Sequence, residues 1–395
     1  MAITFEPMDT DFQRDPYPAY TWLRQHDPVH RHAATRETPE YWALSRFEDI
    51  WDAVRRPEDF SSAEGLTFFP DEIGQLGLAP TIVMLDPPRQ TQLRGLIGRG
   101  FTPRRIAELE DVIRAFVRAR VEVLRDSGTD LHQDFSSTIP TFVLAELFGV
   151  PREDRTRFGP WVRELTNLQN DPLGLAVHDG TAVIVEMFEY FTAAIADRRR
   201  TPQDDLLGAL VEAEIDGDRL TDWDILGFCF VMVAGGSDTT ASLISHGVAL
   251  LTEAPDQRAL LVEDRSLIPD ALMEFLRLES SVQGLCRTTT RDVSVAGTTI
   301  PSGQKVLMLY GSANRDEAEF GETVDLLDVR RAPKRHLAFS SGPHFCIGNH
   351  LARLQARVAF EELLAAMPDI AVDGPAGVRQ RSAFVRGWES LPLVR

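Results

Sequence analysis

Apolar residues recur every three to four positions between about 103 and 278, the spacing of one helix face, so this half of the chain is expected to be helical. The pattern breaks at Gly149-Val150-Pro151, Asn170-Asp171-Pro172 and Arg200-Thr201-Pro202, where glycine and proline end helices. A shorter helix is expected from Asp15-Pro16-Tyr17-Pro18 through Leu23. Alternation of period two marks short strands at 29–32, 41–45, 292–301, 305–310 and 386–392. The expected architecture is mainly α with a minor β subregion. Its β-rich parts lie at about 28–60, 284–312 and 370–395, and its helical body at about 86–280 and 346–368.

One helical stretch is unusual. Thr221 is a suitable N-cap, and no proline follows until after residue 252, so a helix of about 30 residues and about 45 Å crosses the molecule. Its middle reads Ala234-Gly235-Gly236-Ser237-Asp238-Thr239-Thr240. Each glycine in a helix interior costs about 1 kcal/mol, and buried polar groups need partners. Such local costs concentrate at functional sites. The wholly apolar run before it, 225–236, is far short of the roughly 20 residues of a membrane span, so no membrane anchor is expected.

With 395 residues, 43% hydrophobic, and no linker or repeat, the chain is expected to form one large domain, 1–395, around an internal core. A net charge of −19 repels phosphates and argues against nucleic acid as a partner. The first ten residues lack the basic and apolar regions of a signal peptide, which points to the cytoplasm. Cys229, Cys286 and Cys346 are scattered and odd in number, which suits a reducing compartment.

Cys346 stands apart, in Phe339-Ser340-Ser341-Gly342-Pro343-His344-Phe345-Cys346-Ile347-Gly348, just before a helix-like run through Arg353 and Arg357. A free cysteine is ordinarily a small buried hydrophobe. One that enters a helix is instead poised to be an anion, because unpaired amides at the helix start lower a thiol pKa of about 8.5. Gly342 and Gly348, without Cβ atoms, would let a flat group approach the sulfur. Zinc is a poor fit, since it needs three or four ligands and no cysteine pair sits at short spacing.

The spacing F-x-x-G-x-H-x-C-x-G closely resembles the haem-binding loop of the cytochrome P-450 family, and the resemblance extends over essentially the whole chain. It implies a large helical body and a small β-rich part clasping haem b, with Cys346 as the axial ligand of the iron. Gly235, Gly236, Asp238 and Thr239 match the family's Gly-x-Asp/Glu-Thr pattern. There a distorted helix makes room for oxygen, Thr239 would donate a hydrogen bond to it, and Asp238 would bring in protons. Glu274, Arg277 and Arg331 match a structural triad that supports the haem core. Arg94, Arg287 and His344 match positions that hold the propionates. Gln90 stands where histidine is usual and can still donate a neutral hydrogen bond. Phe339 belongs to the same loop. Ser281 replaces a frequent proline, and Ser340 a frequent glycine.

By the same resemblance, Phe230, Ala234, Val282 and Leu285 line a hydrophobic substrate pocket, with further walls at 67–85, 165–175 and 382–385. The implied activity is a haem-thiolate monooxygenase that inserts one atom of O2 into a hydrophobic small molecule, by hydroxylation or N/O-dealkylation. Lipids, terpenoids or steroids, polyketide-like molecules and bulky amines all fit. Electrons would come from NAD(P)H through a reductase and an iron–sulfur ferredoxin, which would dock on the basic cluster Arg330, Arg331, Lys334, Arg335, Arg353 and Arg357. A peroxide-driven peroxygenase is disfavoured because the acid and alcohol are both kept. A haem ligand-binding or sensor protein is disfavoured because no output domain is present.

Overall fold

The computed structural model describes residues 5–70, 80–170, 180–215 and 217–394. The helical body is built on α1 (Arg89–Gly100), α2 (Glu110–Ser127), α3 (Thr138–Leu147), α4 (Phe158–Asn170), α5 (Gly180–Arg200), α6 (Asp222–Gly236), α7 (Asp238–Glu253), α8 (Ile268–Leu278) and α9 (Asn349–Ala366). The expected breaks fall where proline and glycine place them. After α3, Gly149 takes φ of 64°, a conformation that favours glycine. The break expected at 171–172 lies outside the described residues.

α9 packs along α2 and against α7 and α8. Phe360 on α9 and Phe275 on α8 meet at Gly247 of α7, where a Cβ would lie 2.5 Å from one ring and 2.7 Å from the other. A glycine is therefore needed at this crossing.

The long helix starts as expected: the Thr221 hydroxyl accepts from the Asp224 amide at 3.1 Å, and the Thr221 amide donates to the Asp224 carboxylate at 2.9 Å. It is not continuous. Regular helix stops at Gly236 and resumes at Asp238, with Ser237 between. The Thr239 and Thr240 hydroxyls donate to the carbonyls of Gly235 and Gly236 one turn back, at 2.7 and 3.1 Å. Such back-bonding bends helices. The 32 residues together are long and apolar enough to cross a bilayer by composition, yet 61% of their most apolar window is buried inside the molecule, as in a core helix.

The main sheet has five strands: β1 (Val29–His32), β2 (Tyr41–Leu44), β3 (Phe60–Ser61), β4 (Leu285–Thr289) and β5 (Lys305–Met308), in the order β1-β2-β5-β4-β3. β2 and β5 run parallel, with Leu44 opposite Met308, and the other pairs are antiparallel. The stretch 292–301 is a hairpin, Val293–Val295 with Thr298–Ile300, because Ala296 and Gly297 take φ of 47° and 82°. The last expected strand shortens to Trp388–Ser390 and pairs with Val378–Arg379. Near the N-terminus two helices, Thr10–Arg14 and Tyr17–His26, replace the single one expected.

Candidate functional site

The loop before α9 is fixed by its own backbone. The Cys346 amide donates to the Phe339 carbonyl at 2.9 Å, and the Asn349 side chain donates to the Cys346 carbonyl at 2.8 Å. Amides of Gly348 and Asn349 are directed at the sulfur, and the Arg94 guanidinium adds positive charge from α1; all three favour a thiolate. Burial outweighs them and pushes the Cys346 thiol above its ordinary value. The expected standing anion is thus not produced by the helix start alone. A Cβ on Gly348 would lie 3.9 Å from the sulfur, an ordinary contact. Gly342 is required by the protein's own packing: with φ of 66°, its Cβ would fall 2.8 Å from the Val54 carbonyl, so it presses the loop against the backbone of 54–55. Ser340 adopts φ of 58°, the left-handed region where glycine is favoured.

Beside this loop lies an excess of buried positive groups. Arg287 is buried, and its Nη1 donates only to the neighbouring Cys286 carbonyl at 2.7 Å. Arg94 is half-buried, and burial lowers its pKa. Neither forms an ion pair with a described carboxylate. His344 lies near both and meets the Ser62 hydroxyl at 3.2 Å. Burial, then the two arginines, pull its pKa down to about 4, so its ring is neutral at neutral pH. Guanidinium groups taken from water without an ion pair among the described residues fit a ligand with carboxylates, as a haem with its two propionates would be. Gln90 does not point its amide into this cluster as expected; Nε2 donates to the Pro343 carbonyl at 2.7 Å and ties α1 to the cysteine loop.

At the helix break, Gly235 is exposed and a Cβ there would meet nothing within 4 Å, so α6 borders open space in the middle of a core helix. The Thr239 carbonyl accepts from the Ser281 hydroxyl at 3.0 Å. Burial raises the Asp238 carboxyl to about 6, while the Gln380 amide facing it pulls the other way. An acid tuned near neutral pH can both hold and release a proton. Ala234 is buried on α6. Phe230 packs toward Phe188 of α5, with ring centres 6.1 Å apart. Val282 bridges to Val385, and Leu285 opens β4 opposite Met308. The wall expected at 382–385 is described; that at 67–85 is described except for 71–79, and that at 165–175 lies largely outside the described residues and side chains.

The family profile for cytochrome P-450 matches residues 44–366. Cytochrome P-450 130 of Mycobacterium tuberculosis is 43% identical over 400 residues, covering 100% of this chain and 98% of that protein. A methyl-branched lipid omega-hydroxylase of the same organism is 34% identical, covering 100% and 93%. Among solved structures, a Mycobacterium marinum cytochrome P-450 in complex with pseudoionone superposes with a TM-score of 0.87 at 32% identity, covering 100% of both chains. This chain belongs to the cytochrome P-450 family. It is a haem b monooxygenase, and P-450 enzymes of this kind bind hydrophobic substrates and draw electrons from redox partners.

The structure brings together the three residues expected to form a triad. Arg277 donates to both oxygens of Glu274 at 2.7 Å, and Arg331 Nε adds a third bond at 2.9 Å. The basic cluster is smaller than its sequence suggests. Arg331 belongs to the triad, Arg335 pairs with Glu48 and Glu319, and Arg357 pairs with Glu110 and Glu361. Arg330, Lys334 and Arg353 remain exposed without an ion pair among the described residues. Sequence reasoning missed Ser62, the partner of His344, and Gln380, the partner of Asp238. No local spacing signals either contact. Ser281, a departure from the family pattern, sends its hydroxyl across to the helix break.

Proposed function

We propose that the protein is a ferredoxin-dependent, cytoplasmic monooxygenase of branched or terpenoid-like hydrophobic molecules, in which the Cys346 sulfur would hold the haem iron. Arg94, Arg287 and His344 would hold the propionates, with Gln90 and Phe339 keeping the loop in place. Bound haem b supplies the iron centre at which dioxygen is reduced and cleaved. The observation that carries the monooxygenase reading is the acid and alcohol at the helix break: Asp238, raised to about 6, next to Thr239 beside the open volume at Gly235. Asp238 holds a proton at its carboxyl and passes it inward. The Thr239 hydroxyl, which donates to the Gly235 carbonyl at 2.7 Å, would be the group that hands the proton on. Phe230, Ala234, Val282 and Leu285 exclude water and orient an apolar substrate. Arg330, Lys334 and Arg353 would receive an acidic ferredoxin.

Thr239→Ala tests the relay. Removing the hydroxyl is expected to leave NAD(P)H oxidation running while product per NAD(P)H falls severalfold and peroxide accumulates. An unchanged product ratio would show that Thr239 has no such role.

The substrate class is supported by the omega-hydroxylase of methyl-branched lipids and by the pseudoionone complex among the relatives. Titrating the ferric protein with a methyl-branched fatty acid or with pseudoionone is expected to shift its Soret band from low spin to high spin, at concentrations where a bulky amine of similar size does not. Equal or greater response to the amine would overturn the assignment.

A further inference from the structure

Asp238 has a polar neighbourhood on the side away from Gly235. Gln380, whose amide faces the Asp238 carboxylate, is itself 6% exposed, and its Oε1 has no hydrogen-bond partner. Gln283 is also 6% exposed; its Nε2 donates to the Ser280 carbonyl at 2.6 Å, and its Oε1 is unpartnered. Both amides line one small, partly open pocket together with Phe12 and Tyr20 of the N-terminal helices and Arg379, Ser382, Val385 and Arg386 of the C-terminal segment. A third unpartnered oxygen, Ser242 Oγ, lies one helical turn after Asp238 on the same face of α7. Gly387 makes room for it: a Cβ there would sit 2.5 Å from Gln380 Oε1 and 2.6 Å from Ser242 Oγ.

Unpartnered buried polar atoms are costly, so the two amide oxygens and the Ser242 hydroxyl call for partners. Water is the donor that fits: a buried water makes about three hydrogen bonds, and the pocket reaches the surface. The Gln380 amide is suited to bridge, since its NH2 can donate to a carboxylate while its oxygen accepts from water.

We propose that protons reach Asp238 from a water-holding pocket between the N-terminal helices and the C-terminal hairpin, with Gln380 as the positioning residue and Gln283 as its partner in holding the water. The proposal rests on the reading of Asp238 as the proton donor. Protons then come from bulk solvent through the pocket water to the carboxyl, which gives up its own proton inward. The pocket holds no residue of the cysteine loop and shares Ser382 and Val385 with the 382–385 wall.

Gln380→Met and Gln283→Met keep side-chain length and remove the amide. In the full, haem-loaded protein each is expected to lower product per NAD(P)H severalfold and to raise the solvent isotope effect on oxygenation, more strongly for Gln380→Met. The reduced carbon monoxide spectrum, which reports an intact haem site, and the substrate-induced spin shift stay as in the wild type. A high-resolution crystal structure is expected to show water within hydrogen-bond distance of Gln283 Oε1 and Gln380 Oε1, lost in Gln380→Met. Wild-type coupling and isotope effect in both variants, or a dry pocket, would overturn the route. Asp238→Asn separates the two readings: if it lowers turnover while the glutamine variants do nothing, the donor stands and the route falls. If it too has no effect, the donor role fails.

Discussion

Glu274→Ala is expected to destabilise the fold by about 3–5 kcal/mol, the loss measured when one partner of a buried ion pair is removed. The carboxylate is fully buried and takes three guanidinium hydrogen bonds of 2.7, 2.7 and 2.9 Å. Without it, Arg277, which is equally buried, keeps only the Asn314 carbonyl at 2.9 Å and the Phe320 ring, 5.0 Å from its guanidinium carbon. Neither neutralises a charge held away from water. Stabilities of about 5–15 kcal/mol are ordinary, so such a loss removes a large share. Its effect extends to the site, because Arg331 ties α8 to the segment that leads into the Cys346 loop. The urea midpoint should fall, and haem content per protein should fall with it. Glu274→Gln, which keeps the shape and loses the charge, should lie between. A wild-type midpoint in Glu274→Ala would mean that the triad contributes nothing.

What could be read from the sequence divides along lines of distance. The cysteine loop was legible because its features lie within ten positions, and Glu274 with Arg277 because i and i+3 share a helix face. Arg331, 57 residues after Glu274, was placed by family resemblance and not by spacing. The glycines and polar residues of 234–240 announced a local cost, but not that regular helix would stop at Ser237. Charge was legible only as a count. Whether an arginine is free depends on carboxylates elsewhere in the chain, and Arg335 and Arg357 have them. Gln90 kept its expected place near the loop, yet a backbone carbonyl claimed its amide. Gln380 lay beyond sequence reasoning because it reaches Asp238 through a short hairpin whose strand partners are set by the whole fold. The two-residue strand Phe60–Ser61 is similarly defined by pairing with Thr288 and Thr289.

Cys346→Ala is expected to abolish oxygenation to background while leaving the fold close to that of the wild type, the reverse pairing of effects from Glu274→Ala. The reason lies in what holds the loop. Its anchors are backbone groups: the residue 346 amide to the Phe339 carbonyl, and its carbonyl to the Asn349 side chain, and alanine preserves both. Gly342 against the 54–55 backbone and Gln90 on the Pro343 carbonyl hold the loop independently of the sulfur. Truncating the side chain removes one partly buried polarisable atom, a loss well below that of an unpaired buried charge. The chemistry has no such redundancy. Neither Cys229 nor Cys286 belongs to the loop, and His344 Nε2 is taken by the Ser62 hydroxyl. Reduced protein with carbon monoxide should therefore lose the thiolate-type band, and any haem retained should show the spectrum of a weaker or exchanged ligand. Cys346→His sharpens the test by offering a nitrogen ligand: haem retention with a shifted carbon monoxide band and no product would separate binding from thiolate chemistry. A thiolate-type band in Cys346→Ala would place the iron ligand elsewhere.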